Sequence, residues 1–286
     1  MTTRTINRSS LPNLAKETGH KYAHGHAVVL AGGPGRGGAA RLAARAALRI
    51  GAGLVTVACS QRALPENASQ LNAVMVHPID GPFGLEELLE DHRVTALCLG
   101  PALGLTKSTA DLVKVALNKA VPTVLDADAL TRFERAPEAL FGMLHSGVVL
   151  TPHGGEFTRL FPDIAAKYAQ SEQDLDQKAQ ATQDAANRAG CVVLLKGAQT
   201  CVAAPDGICA VHLATETRAA PWLATAGAGD VLAGFITGLM ARGLSPHIAA
   251  ETAVWIHVEA ARMFGPGLIA EDLSEMIPAV FASLQG

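Results

Sequence analysis

The chain has 286 residues, of which 49% are hydrophobic, 17% charged and 4% aromatic, and its formal net charge is -3. This composition predicts a globular protein with a sizeable core, and it excludes a disordered chain or a disulfide-rich scaffold. The balance of charges offers no basic field for nucleic acid or an anionic membrane, so neither is an expected partner. No apolar stretch approaches the roughly 18 residues that a membrane-spanning helix needs.

The first residues differ in character from the rest of the chain. Arg4 and Arg8 lie in this segment, but no apolar stretch follows them, so the features of a secretory signal are missing. We predict a flexible arm over residues 1–14, a single domain over residues 15–286 and a cytoplasmic protein. The five cysteines are scattered without metal-ligand spacing, and we interpret them as small buried hydrophobic residues.

Apolar runs bounded by glycine recur along the chain, and Ala-rich helical patterns separate them. Because this alternation is typical of a parallel sheet with helices on both faces, we predict a doubly wound α/β fold. In such sheets ligands bind beyond the carboxyl ends of the strands, so the residues after each run become site candidates. The predicted strands are His26–Ala31, Leu54–Ala58, Val94–Leu99, Pro122–Leu125, Gly147–Leu150 and Cys191–Leu195, and the clearest predicted helices are Ala39–Ile50, Thr109–Lys119 and Glu172–Ala189.

Polar residues follow two consecutive predicted strands, Pro122–Leu125 and Gly147–Leu150. Asp126 and Asp128 come after one strand, and this pair could bind Mg²⁺ through water or equally start the next helix. His153 follows the next strand and could hydrogen-bond a ligand, although a histidine in this position is more often structural or begins a helix. Glu156 lies where an acid stabilises a helix dipole without a catalytic role, so its function is open.

The segment from Lys196 to Thr200 ends the last of these apolar strands. Its backbone amides, the Lys charge and the Thr hydroxyl could face the phosphate and ribose of a nucleotide. From the pentapeptide alone, the commoner interpretation is a strand end with a surface lysine and a turn glycine.

A glycine-rich turn from Thr225 to Gly234 leads into an apolar helix. The free N–H groups of Gly227, Ala228 and Gly229, together with the helix dipole, predict an anion hole. Asp230 could cap this helix or could act as a general base beside a phosphoryl group, and both roles are compatible.

This turn resembles the anion hole and catalytic Asp of the ribokinase-like superfamily, and the chain has no P-loop motif. Four further regions occur in the order found in the NAD(P)H-hydrate dehydratases, and they extend the resemblance over nearly residues 15 to 285. The chain is similar to that family in His26–Gly33 with Gly38–Ala40 and Gly51–Thr56, in Leu125–Leu130, in Leu150–Phe157 and in Leu194–Thr200. The resemblance implies ADP- or ATP-dependent dehydration of the S epimers of hydrated NADH and NADPH (NADHX and NADPHX).

The resemblance also implies roles for particular residues, Mg²⁺ as cofactor and a homotetramer. It assigns substrate binding to Ala39, Gly104, His153 and Asp230, binding of the AMP moiety to Lys196, Gly197, Ala198, Gln199, Thr200 and Gly229, and catalysis to Asp230. The loop from Gly33 to Gly38 departs from the family because it lacks the usual Ser and Tyr, and Ala102 replaces a usual Gly. Only a short arm precedes the first strand, so we expect a dehydratase without the epimerase domain found in many relatives.

Two other classes of function use the same features. A ribokinase-like kinase for a vitamin precursor would release a stable phosphorylated alcohol, whereas a non-catalytic module would bind nucleotide without turnover. The intact anion hole and acid disfavour the second alternative. ADP is the expected phosphoryl donor, while the choice between ADP and ATP and between NADHX and NADPHX stays open.

Overall fold

A computed structural model of the protein describes residues 2–168, 174–205 and 207–285. Ten strands form one sheet in the order β1-β10-β9-β8-β7-β6-β5-β2-β3-β4. The strands β1 to β10 are Thr2–Thr5, His26–Leu30, Leu54–Cys59, Met75–Pro78, Val94–Leu99, Thr123–Leu125, Val148–Leu150, Val192–Leu195, Gln199–Ala203 and Ile208–Leu213.

Helices connect most of the strands. The helices α1 to α13 are Gly38–Arg49, Leu64–Ala68, Gly81–Leu88, Lys107–Asn118, Asp128–Thr131, Pro137–Phe141, Gly154–Leu160, Pro162–Tyr168, Leu175–Ala189, Ala228–Ala241, Pro246–Phe264, Ala270–Glu275 and Ile277–Gln285. The predicted helix start at Glu172 lies outside the described residues. Within the described part of the chain, no helix combines the length and the apolar character needed to cross a bilayer.

The sheet confirms the predicted doubly wound architecture. From β8 through β7, β6, β5, β2 and β3 to β4 all neighbouring strands are parallel, so their carboxyl ends meet at one edge. Alternate residues of each strand point to opposite faces. In β2, Val28 joins the core cluster that includes α4 and α9, whereas Val29 joins the cluster that includes α1, α10 and α11. Both faces are therefore covered, which explains the nearly continuous apolar runs in the sequence.

The N-terminal segment differs from the prediction of a flexible arm. Thr2–Thr5 forms an edge strand parallel to β10, and Ile6 and Leu14 are buried in the core. The partner strand β10 pairs antiparallel with β9, and β9 pairs antiparallel with β8. None of these three strands follows the strand-helix alternation, so the sequence carried no sign that the N-terminal segment had a partner to pair with.

Close contact between α1 and α10 determines where α10 lies. A Cβ atom built on Gly234 would overlap the carbonyl oxygen of Ala43, and one on Gly238 would lie 2.5 Å from the carbonyl oxygen of Ala47. Glycine at these two positions lets the helix backbones approach closely. The N-terminus of α10 is thereby set against the carboxyl edge of the sheet.

We predict that Gly234→Ala lowers the free energy of unfolding by about 1–3 kcal/mol, because the added methyl group overpacks the α1–α10 contact. Urea unfolding followed by circular dichroism measures this change. Gly142→Ala is the matched control, since a Cβ atom there would lie 3.5 Å from the Glu138 carbonyl oxygen, an ordinary van der Waals distance. Equal stabilities of the two variants would contradict the proposed role of Gly234.

Candidate functional site

The predicted site segments converge at the carboxyl edge of the parallel strands. The glycine loop follows β2, the loop containing Gly104 follows β5, and Asp126 follows β6 directly. His153 comes after β7, and Lys196 is the first residue after β8. The strand order β8-β7-β6-β5-β2 therefore arranges these segments side by side, with the N-terminus of α10 packed near them.

The glycine turn before α10 has the geometry of an uncapped helix start. Gly227 is the N-cap residue, adopts a left-handed φ of 87° and provides no side-chain cap. A Cβ atom on Gly227 would also lie 2.6 Å from Leu42 Cδ1, so both conformation and space favour glycine. Asp230 lies in the first turn of the helix and not at the N-cap position. Ala228 N donates to the carbonyl oxygen of Thr225 over a long 3.4 Å, whereas Gly227 N and Gly229 N make no such backbone bond in the described part of the chain and are available to an anion.

A buried ion pair lies beside this helix start. Asp126 is 2% exposed, and its Oδ1 accepts hydrogen bonds from Lys196 Nζ at 2.7 Å and from Thr151 Oγ1 at 2.8 Å. Burial opposes the charged form of Lys196, but the carboxylate of Asp126 outweighs it, and the pKa of Lys196 is raised. A Cβ atom on Gly229 would lie 3.7 Å from Lys196 Nζ, so the ammonium group stands next to the first turn of α10.

The environment of Asp230 makes its carboxyl group harder to ionise than that of an exposed aspartate. Burial and the negative charge of Asp126 raise the pKa of Asp230 to about 6, with a smaller contribution from Asp128, while Lys196 acts in the opposite direction. A carboxyl group that titrates in this range is mostly ionised at pH 7 and still basic enough to accept a proton. Asp230 thus has the properties of a general base.

A cavity of about 480 Å³ opens beside this helix start and the Lys196 side chain. The predicted nucleotide residues Lys196, Gly197, Ala198, Thr200 and Gly229 line it. Gln199 is absent from the lining, and its carbonyl oxygen instead accepts a hydrogen bond from Lys178 Nζ. The rest of the wall is largely apolar and consists of Ala214, Ala219, Ala220, Pro221, Leu223, Ala224, Ala228, Leu232, Val254, His257 and Val258. Apolar walls with a cation and free amides at one end suit a nucleoside with its phosphates.

His257 lines this cavity and contacts the first turn of α10. Burial lowers its pKa to about 4, so the imidazole is neutral, and its Nε2–H donates to the carbonyl oxygen of Ala228 at 2.9 Å. Sequence reasoning missed this residue because it lies within the long helix α11, where its apolar neighbours gave no sign of a site. Thr151 belongs to the Leu150–Phe157 motif found in the sequence, but the sequence analysis assigned no role to it.

His153 and Glu156 form the start of α7. Nδ1 of His153 accepts from Gly155 N at 2.9 Å, and Glu156 Oε2 accepts from His153 N at 2.8 Å. The buried Glu156 is therefore a capping residue, which agrees with its interpretation as a helix-start acid. The His153 side chain is 56% exposed, so its ring remains accessible to a ligand.

The loops after β2 and β5 pack against each other, since a Cβ atom on Gly32 would lie 2.1 Å from the carbonyl oxygen of Ala102. Glu66 accepts hydrogen bonds from Gly35 N at 2.6 Å and Gly37 N at 3.1 Å, which holds the glycine loop. Gly104 N donates to Asp128 Oδ2 at 2.7 Å. Ala39 lies half-buried in the first turn of α1, and its side chain is a single methyl group.

The carboxylates are already engaged by protein groups. Asp126 holds Lys196, Asp128 accepts from Gly104 and Glu156 caps α7. Over residues 2–168, 174–205 and 207–285, no group of three or more His, Cys, Asp or Glu side chains is arranged to hold a metal ion. The arrangement therefore does not fit a resident magnesium site formed by protein ligands alone.

Comparisons with known proteins identify the family. The model of the NAD(P)H-hydrate dehydratase family matches residues 27–278. The bifunctional NAD(P)H-hydrate repair enzyme of Moorella thermoacetica is 38% identical over 97% of this chain and 53% of its own length. The chain spans about half the length of such bifunctional relatives.

Solved structures extend the match to the fold. The ADP/ATP-dependent NAD(P)H-hydrate dehydratase of Bacillus subtilis, crystallised with ATP and Mg²⁺, has a TM-score of 0.78 at 26% identity and covers 99% of both chains. A ribokinase-like superfamily protein of Enterococcus faecalis has a TM-score of 0.79 at 21% identity, covering 99% of this chain and 96% of its own. With a ribokinase-like fold and a family match over most of its length, the chain belongs to the NAD(P)H-hydrate dehydratase family.

Proposed function

We propose that the protein dehydrates (6S)-NADHX and (6S)-NADPHX to NADH and NADPH at the expense of a nucleotide phosphate, with ADP as the favoured donor. The observation that carries the proposal is the position of Asp230, a half-buried carboxyl group with a pKa of about 6 in the first turn of α10. It follows Gly229, which lines the same cavity as Lys196. Base, anion hole and nucleotide cavity thus meet at one point.

The first step makes the hydroxyl group a better leaving group. Asp230 accepts the proton of the substrate's 6-hydroxyl group while the oxygen of that hydroxyl group attacks the terminal phosphorus of the nucleotide. The bond from phosphorus to the bridging oxygen breaks, releasing AMP from ADP or ADP from ATP. The N–H groups of Gly227, Ala228 and Gly229 would stabilise the charge on the transferring phosphoryl group with little reorganisation.

The second step is elimination from the phosphorylated ring. The lone pair of the ring nitrogen expels phosphate from C6, and loss of a proton from C5 restores the C5–C6 double bond. The products are the dihydronicotinamide, inorganic phosphate and the shortened nucleotide. Phosphoryl-transfer groups therefore serve a lyase reaction.

Nucleotide binding in this proposal relies on the cavity beside α10. The AMP moiety occupies the apolar part, and Lys196 with Gly197, Ala198, Thr200 and Gly229 contacts the phosphates and ribose. Gln199, the first residue of β9, is assigned to the same motif. Mg²⁺ enters bound to the nucleotide phosphates, which is its usual mode in phosphoryl-transfer enzymes.

Substrate binding is assigned to the opposite side of Asp230. Ala39 and Gly104 leave room for the dinucleotide, and the exposed ring of His153 provides a hydrogen-bonding group. A homotetramer, which the family resemblance implies, and a cytoplasmic location complete the proposal.

Absorbance at 340 nm tests the activity directly. With NADHX, Mg²⁺ and ADP, we expect the wild-type protein to raise the absorbance only when nucleotide is present. Asp230→Asn should lower kcat by about 10² to 10⁴-fold, the usual contribution of a general base. The control Asp80→Asn, at an exposed position after edge strand β4, should retain activity. A stable phosphorylated product without absorbance change would instead support a small-molecule kinase.

The pH dependence of kcat/KM gives a second test. Since only the ionised form of Asp230 accepts a proton, activity should fall about tenfold per pH unit below a pKa of about 6. Nucleotide phosphates also titrate near pH 6, so the profile is repeated with a donor whose terminal phosphate is a thiophosphate of lower pKa. If the fall in activity at low pH shifts when the donor is changed, the titrating group belongs to the nucleotide, and the assignment to Asp230 is contradicted.

A further inference from the structure

Asp126 is a buried carboxylate to which the proposed reaction gives no task. It follows β6 directly, and its backbone N donates to the carbonyl oxygen of Leu99 at 3.0 Å. Thr151 Oγ1 and Lys196 Nζ both donate to the same carboxylate oxygen. Burying a carboxylate costs free energy unless it is paired, so Asp126 needs a partner such as Lys196.

The ion pair determines where the Lys196 ammonium group stands. The backbone N of Lys196 donates to the carbonyl oxygen of Pro152 at 2.9 Å, which fixes the start of its side chain. Asp126 fixes the other end at 2.7 Å, and the ammonium group then lies beside Gly229. A flexible four-carbon side chain is thus held at both ends.

We propose that Asp126 is a positioning residue, which keeps the Lys196 ammonium group at the N-terminus of α10 so that it meets the terminal phosphate of the bound nucleotide. This inference rests on the proposed function, and it gives Asp126 a role in placing Lys196 instead of a role in binding Mg²⁺. Pre-organisation of a cation lowers the cost of ordering it when the phosphate arrives.

The same charges act on the general base. Asp126, Asp128 and Lys196 face Asp230 from β6, α5 and β8, while Glu156 of α7 acts on Lys196. His257 of α11 is neutral and contributes no charge to this group of side chains. Removing the charge of Asp126 should therefore make Asp230 easier to ionise.

Asp126→Asn tests the proposal, because it retains an acceptor for Thr151 and removes only the charge that holds Lys196. We expect the KM for ADP to rise on the order of tenfold, the scale of coupling within one ion-pair network. The acid limb of the pH profile should move to lower pH. A merely structural defect would not move this limb.

A double-mutant cycle identifies the route of the effect. If Asp126 acts through Lys196, then Asp126→Asn should change the KM for ADP little in a Lys196→Met background. Additive changes in KM would overturn the proposal. The proposal would also be overturned if Asp126→Asn needed more Mg²⁺ for activity but had an unchanged KM for ADP at saturating Mg²⁺. That result would make Asp126 a metal ligand.

The matched control is Asp184→Asn on α9, which removes another paired carboxylate. Asp184 accepts from Lys167 Nζ at 3.1 Å and Tyr168 Oη at 2.9 Å and lies outside the cavity lining. Its pH profile should match that of the wild type. Thermal unfolding confirms that each variant is folded.

Calorimetric titration with ADP separates failure of this inference from failure of the proposed function. If the wild-type protein forms no NADH, the dehydration proposal fails, but the Kd values for ADP still report on Asp126. A Kd that is unchanged in Asp126→Asn would overturn the positioning role in that case as well.

Discussion

Close packing of α1 against α10 is the contact on which the site depends. Gly234 and Gly238 have no side chain at the points where the backbone of α1 approaches, so α10 lies flat against its neighbour. This contact places Gly227 to Asp230 beside the ends of the parallel strands. A bulkier residue in the middle of α10 would displace its N-terminus, because packed helices move as rigid elements. Core packing and anion binding are therefore linked through one helix.

Electrostatics at the site follow from burial as much as from the choice of residues. Asp230 is desolvated and faces other carboxylates, while a single ammonium group, Lys196, acts in the opposite direction. The helix N–H groups supply positive potential without adding a titratable group. A phosphate arriving at this point would find both Lys196 and the helix start already in position. The protein thereby combines a base that ionises near neutrality with a place for negative charge.

Several elements of the fold were evident from local pattern. Apolar runs predicted β2, β3, β5, β6, β7 and β8 but not β4, and the glycine turn predicted the start of α10, since these signals depend on neighbouring residues only. The edge strand Thr2–Thr5 was predicted as a flexible arm because its pairing with β10 is a long-range contact. The partnership of Asp126 with Lys196 was invisible for the same reason, as 70 positions separate the two residues.

The sequence by itself determined the class of fold, the family and the segments that contain the site, because periodicity and motif spacing are properties of the chain alone. Only the tertiary structure decided which contacts each carboxylate makes. Asp126 pairs with a lysine, Asp128 accepts from a loop amide, Glu156 caps a helix, and Asp230 has a raised pKa. Asp230 is thus a candidate base, and these differences arise from burial and from neighbours on other strands, which exist only once the sheet has brought the strand ends together.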